Sequence, residues 1–130
     1  MLLILTAALL SAGLLAQESP TTPRAAQVRI IQGPAVELAT AYLTIVRWTT
    51  NNPGGSPVSY GIVYYGASPE RLTETAKSPV RLNPGHSTTT FRVRLDNLKP
   101  RTTYYFRAAS MDANGEQHKV TSPVGSFSTP

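Results

Sequence analysis

From Val28 onward the chain runs in short apolar or alternating stretches divided by clusters of turn-forming residues: NNPGGSP at 51–57, GASPE at 66–70, NPGHS at 83–87, DNLKPR at 96–101 and DANGE at 112–116. A two-residue period sends successive side chains to opposite faces of a strand, so that one face is buried and the other meets water. The period is cleanest over 87–95, where Phe91, Val93 and Leu95 share one side and Thr90, Arg92 and Arg94 the other. Strands are predicted over 28–32 and 35–38, separated at Pro34, and then over 42–50, 58–66, 87–95, 103–110 and 117–128, the last with a bulge near Ser122 and Pro123. Two short edge pieces are predicted near 71–76 and 79–82, since Pro79 has no N–H to give an inner ladder. No segment of the body carries a 3.6-residue apolar period. Short strands at this spacing, with Pro/Gly-rich turns, predict an all-β fold: a seven-stranded Greek-key β-sandwich.

The N-terminus reads differently. Residues 1–16, MLLILTAALLSAGLLA, carry no charged side chain. Their length falls between the roughly 7–15 residues of a signal-peptide apolar region and the roughly 20 of a membrane span. Small residues Ala12, Gly13 and Ala16 near the end, followed by the polar stretch QESPTTPRAAQ, suit cleavage. No Lys or Arg precedes the apolar run, so retention as a short anchor stays open. The chain therefore divides into a signal peptide or membrane anchor at 1–17, a linker at 18–27 and one domain at 28–130. Export to a periplasmic, cell-surface or secreted location is expected, with membrane association through residues 1–16 if they are kept.

Composition narrows the chemistry. At 130 residues the chain holds one ordinary domain. It has no cysteine, which removes disulfides, thiolate metal sites and thiol nucleophiles together. The formal charge is +5, from 12 Lys+Arg against 7 Asp+Glu. Such a charge suits anionic partners, yet the basic residues are scattered with no run longer than one. Nucleic acid is disfavoured by the export signal.

Two sets of residues resemble a known family. Trp48, near the end of the second strand, stands where a fibronectin type III domain carries its core tryptophan. The run Leu98-Lys99-Pro100-Arg101-Thr102-Thr103-Tyr104 resembles that family's L-x-P-x-T-x-Y corner. There Pro100 stiffens the turn, Leu98 plugs the core and the Tyr104 hydroxyl bonds back to upstream backbone. A narrower resemblance lies in Val63-Tyr64-Tyr65-Gly66-Ala67-Ser68-Pro69, in the stretch from Leu98 to Tyr105 and in Phe127-Ser128-Thr129-Pro130. These look like the N-terminal sandwich of purple-acid-type metallophosphatases, whose catalytic metal ligands lie in a separate domain. The resemblance implies an immunoglobulin-like sandwich and supplies no catalytic residue.

Candidate chemistry is sparse. His86 and His118 sit in or beside turns, with Asp112 and Glu116 only loosely around His118; no metal-ligand spacing is met. There is no G-x-S-x-G nucleophile motif and no phosphate-binding glycine frame. No catalytic residue, cofactor or metal is assigned, and an enzyme is not expected.

Surfaces offer more. In a fibronectin-type sandwich Arg29, Arg47, Arg92 and Arg94 would share an outer basic face with Leu43 and Ile45, suited to an acidic or anionic partner. Tyr60, Ile62, Tyr64, Tyr105 and Arg107 would face outward on the other sheet, a composition enriched at interaction hot spots. The same tyrosine pattern would also arise from cross-strand pairing that stabilises a sheet. The function expected is a noncatalytic interaction or structural module whose partner is another protein or cell-surface component. Alternatives are an accessory subunit held to a membrane complex by an uncleaved segment, and an orphan N-terminal domain of a metallophosphatase.

Overall fold

The computed structural model describes residues 28–52, 58–81, 86–112 and 119–130. Residues 1–27, His118, Glu116 and much of the turns near 53–57, 82–85 and 113–118 lie outside them, and with them the expected signal segment and linker. Eight strands form: β1 Ile30–Ala39, β2 Thr44–Asn51, β3 Val58–Gly66, β4 Glu74–Arg81, β5 Thr88–Leu95, β6 Thr103–Asp112, β7 Val120–Thr121 and β8 Gly125–Ser128. They build two antiparallel sheets packed as a sandwich. One has the order β1-β2-β5; the other runs β4-β3-β6, with β7 and β8 following one another along the far edge of β6.

Three strands depart from the sequence expectation, each for a local reason. Pro34 does not end β1, because β1 is an edge strand and needs its N–H groups on one side only. The strand instead absorbs the Gly33-Pro34 pair through register shifts against β2. Gly33 has φ of 82°, and an added Cβ would sit 2.9 Å from the Arg47 carbonyl oxygen, so glycine is the residue that fits there. The two edge pieces predicted near 71–76 and 79–82 are one strand, β4, with Pro79 opposite Tyr60. The last predicted strand is split by the Ser122-Pro123 bulge. Ser122 patches the gap: its Oγ accepts the Ala108 N–H at 2.9 Å while its own N–H donates to the Ala108 carbonyl at 2.8 Å.

Alternation then makes the core. β2 buries Thr44, Val46, Trp48 and Thr50, and β5 buries Phe91, Val93 and Leu95. From the facing sheet come Val63, Tyr104, Phe106, Ala108 and Phe127, with Leu98 closing one end. Trp48 and Phe91 are opposite one another in the β2–β5 ladder and stack with centroids 5.3 Å apart. The indole N–H of Trp48 crosses between the sheets and donates to Ser110 Oγ at 2.8 Å, both groups fully buried. Gly61 lies beside Ser110 in the β3–β6 ladder. A Cβ there would meet Phe91 Cδ1 at 2.6 Å and Trp48 Cζ2 at 3.1 Å.

The expected corner is present. The Lys99 N–H donates to the Tyr104 hydroxyl at 2.8 Å, and Arg101 turns the chain with φ of 51°. The end of the chain is tied to the same corner. Thr129 Oγ1 accepts the Thr102 N–H at 2.9 Å and donates to the Lys99 carbonyl at 2.6 Å. The Thr102 hydroxyl donates to the Pro100 carbonyl at 2.9 Å.

Among the described residues Thr44 Oγ1 is the buried side-chain polar atom without a hydrogen-bond partner. This separates two substitutions. Ser110→Ala strands a buried indole N–H and is expected to lower unfolding free energy by about 1–3 kcal/mol. Thr44→Val removes an unsatisfied hydroxyl and is expected to be neutral or to stabilise by up to about 1 kcal/mol. Urea denaturation measures both; a Ser110→Ala midpoint equal to that of the parent chain would remove the inter-sheet bond from the list of stabilising contacts.

Candidate interaction surfaces

Residues directly opposite in a ladder point to the same side, so register fixes each outer face. On the β4-β3-β6 sheet, Val63, Tyr65, Tyr104 and Phe106 turn inward. Tyr60, Ile62, Tyr64, Tyr105 and Arg107 share the outer side, where Tyr64 stands opposite Arg107 and Thr75, and Ile62 opposite Lys77 and Ala109. Ile62 corrects the sequence reading. It points outward yet is 4% exposed, so it offers a partner no contact area. Its neighbours along β3, Tyr60 and Tyr64, are larger and carry lysines over them. Lys77 Nζ lies 4.1 Å from the centre of the Tyr60 ring. Lys119 Nζ lies 5.4 Å from that of Tyr64 and reaches its hydroxyl at 3.4 Å.

Sequence reasoning missed both lysines. Lys77 lies in the interval left between the two predicted edge pieces, and Lys119 enters the face just before β7. Alternation along a single β4 would have placed Lys77 beside Ile62. Among the described residues no carboxylate forms an ion pair with Lys77 or Arg107. Glu37 belongs to the other sheet, while Glu70, Glu74 and Asp96 cluster around the turns at one end of the sandwich.

The β1-β2-β5 sheet brings Arg47 opposite Arg92, and Arg94 opposite Ile45. Arg29 lies at the far end of β1, its backbone N–H bonded to Asn51 Oδ1 at 2.5 Å. Two of these guanidiniums are paired: Arg92 Nε with Glu37 at 2.9 Å, and Arg94 Nε with Asp96 at 2.6 Å. The pairs are exposed and contribute little to stability, but they halve the formal charge of the face. Thr49 and Thr90 join the same surface through a 3.0 Å hydroxyl contact.

A third feature lies at the end of the sandwich that carries the corner. A cleft of about 440 Å³ opens there, lined by Tyr65, Thr73, Glu74, Asp96, Leu98 and Tyr104 among others. Burial raises the Tyr65 pKa above 10.0, and the nearby Glu74, Tyr104 and Asp96 raise it further. The phenol is therefore protonated at neutral pH and is no general base. His86 is exposed, and its carbonyl accepts a 2.8 Å bond from Asn52. Among the described residues no three His, Cys, Asp or Glu side chains converge as metal ligands would. No helix among them is long and apolar enough to cross a membrane.

Comparison with known proteins places the sandwich. Residues 35–129 match the family described as the purple acid phosphatase N-terminal domain. No curated protein sequence matches the chain at a significant level. Among solved structures, the sensor domain of the anti-sigma factor RsgI4 from Pseudobacteroides cellulosolvens is similar in fold in two forms. The long form is 17% identical, with a TM-score of 0.54, over 79% of this chain and 89% of that one. The short form is 19% identical, with a TM-score of 0.53, over 81% and 96%. At such identity the likeness concerns the fold.

The cleft makes a titration prediction. Glu74→Gln removes a negative charge near the Tyr65 phenolate and is expected to bring its pKa down towards the ordinary value. Because the folded pKa lies above the unfolded one, the contribution of Tyr65 to stability is full below about pH 10 and is lost as pH rises through the folded pKa. Tyrosine-selective NMR titration reads the shift; a Tyr65 titration unmoved by Glu74→Gln would contradict the assigned cause.

Proposed function

The chain belongs to the purple acid phosphatase N-terminal domain family, and from that premise we propose that it works as a noncatalytic contact module of the fibronectin type III kind, outside the cytoplasm. The observation that carries this reading is the division of labour among its polar side chains. Those that could have done chemistry are bound into the scaffold: Ser110 to Trp48, Tyr104 to Lys99, Thr129 to the corner and Ser122 to β6. What remains outward is a tyrosine- and cation-bearing sheet face. Tyrosine and arginine are residues that interfaces concentrate. Export is supported by the apolar run at 1–16 followed by a polar, proline-containing stretch. The length of that run, between a signal-peptide apolar region and a membrane span, favours, as a second reading, an accessory subunit held at a membrane by the uncleaved segment. The family match favours a third, an N-terminal domain that acts beside a metallophosphatase catalytic domain.

Two measurements test the proposal. The purified chain, supplied with iron, zinc or manganese, is expected to release no phosphate from p-nitrophenyl phosphate; metal-dependent turnover would overturn the noncatalytic reading. Tyr64→Ser with Tyr105→Ser is expected to leave the fold intact and to abolish recovery of the partner from native membranes or medium. Undiminished recovery by a folded double variant would retire this face as the contact surface.

A further inference from the structure

The two sheet faces treat their charges differently, and the difference identifies the kind of partner each can meet. On the β1-β2-β5 face two of the four guanidiniums, Arg92 and Arg94, are already held by Glu37 and Asp96, which an incoming anion must displace to reach them. On the β4-β3-β6 face Lys77 and Arg107 form no ion pair with a carboxylate among the described residues. Lys77 is exposed and lies over the Tyr60 ring, so the outermost layer of that part of the face is an ammonium group. Arg107 is exposed and stands opposite Tyr64. A cation over an aromatic face is held by the ring's quadrupole, which restrains the ammonium without cancelling its charge.

Area restricts the partner further. Three inter-strand spacings of about 4.8 Å and nine β3 residues rising about 3.3 Å each describe a face on the order of 400 Å². A stable interface between two globular proteins buries about 800 Å² on each side. Ile62 is buried and supplies no apolar anchor. A face of this size, cationic and with aromatic side chains, suits a narrow chain better than a second domain.

We propose that the outer face of the β4-β3-β6 sheet docks an extended acidic segment of a partner protein, its carboxylates meeting Lys77 and Arg107 and its backbone lying over Tyr60, Tyr64 and Tyr105. This deepens the contact-module reading and rests on it. Encounter is steered by charge, and binding is weak and salt-sensitive.

The test uses the full chain, labelled for NMR, and a short poly-glutamate peptide as probe. Saturable amide shifts are expected at Tyr60, Tyr64, Lys77, Tyr105 and Arg107, weakening as salt is raised. Lys77→Glu with Arg107→Glu is expected to lower affinity about tenfold or more, and Lys77→Gln with Arg107→Gln to lower it less. Arg92→Glu on the opposite sheet is expected to leave it unchanged. Shifts confined to the β1-β2-β5 face overturn the inference, as does an equal loss from Arg92→Glu, which would reduce the effect to net charge. Binding of dextran sulfate or of phosphatidylglycerol vesicles to this face, with the peptide unbound, overturns the choice of a protein partner. Loss of peptide binding in the charge variants with undiminished partner recovery by the tyrosine variants would fail the contact surface alone, whereas unchanged peptide binding with lost recovery would fail the acidic segment alone.

Discussion

The sandwich depends on one buried hydrogen bond between its sheets. Trp48 Nε1 reaches Ser110 Oγ at 2.8 Å, with both residues buried. A buried indole N–H without an acceptor is costly, so a small hydroxyl must stand opposite the ring. Gly61 must stand beside it, since any Cβ there would run into Phe91 and Trp48. Large residues on one sheet thus meet a glycine and a serine on the other, and the spacing of the layers is set at that point. The outward direction of Tyr60, Ile62 and Tyr64 follows, because these residues flank Gly61 and the inward-facing Val63 in the same strand.

The second constraint closes one end of the structure. Leu98 fills the end of the core and the Tyr104 hydroxyl holds the Lys99 backbone above it. Thr129 then binds both limbs of the turn, to Lys99 and to Thr102. Every oxygen and N–H in this set is used in holding backbone. The corner is therefore a rigid wall, and the cleft beside it owes its shape to the fold.

Much of this was legible in the chain. The alternation of 87–95 names the buried face of β5 outright, and Trp48 with the Leu98–Tyr104 run marks a core centre and its corner. These signals survive because each is local: a two-residue period, or a motif closed within one turn. What was not legible depends on a partner strand. Gly61 reads as a weak point in a strand until Trp48 is seen across from it. Pro34 and Pro79 read as strand breaks until each is found on a sheet edge. Ile62 reads as a surface residue by parity alone, since periodicity gives a direction and says nothing of what covers it. Lys77 is placed only by the β3–β4 register, which no pattern within 71–82 specifies.

The faces complete the argument. A flat, exposed sheet must be guarded against adhering to others of its kind, and charge on the outward positions does this. The chain meets that requirement twice with different chemistry. Around Arg92 and Arg94 it uses ion pairs, in which each cation is already neutralised by a neighbour within 3 Å. Around Tyr60 it uses a lysine laid on a ring, and beside Tyr64 an exposed arginine. Both arrangements satisfy the fold equally well, so stability gives no reason for the difference. Towards a partner they are unequal: a carboxylate approaching Arg92 or Arg94 competes with Glu37 or Asp96, whereas one approaching Lys77 or Arg107 meets no described carboxylate already paired there. The asymmetry that the fold does not require is thus the part of the surface with something left to bind.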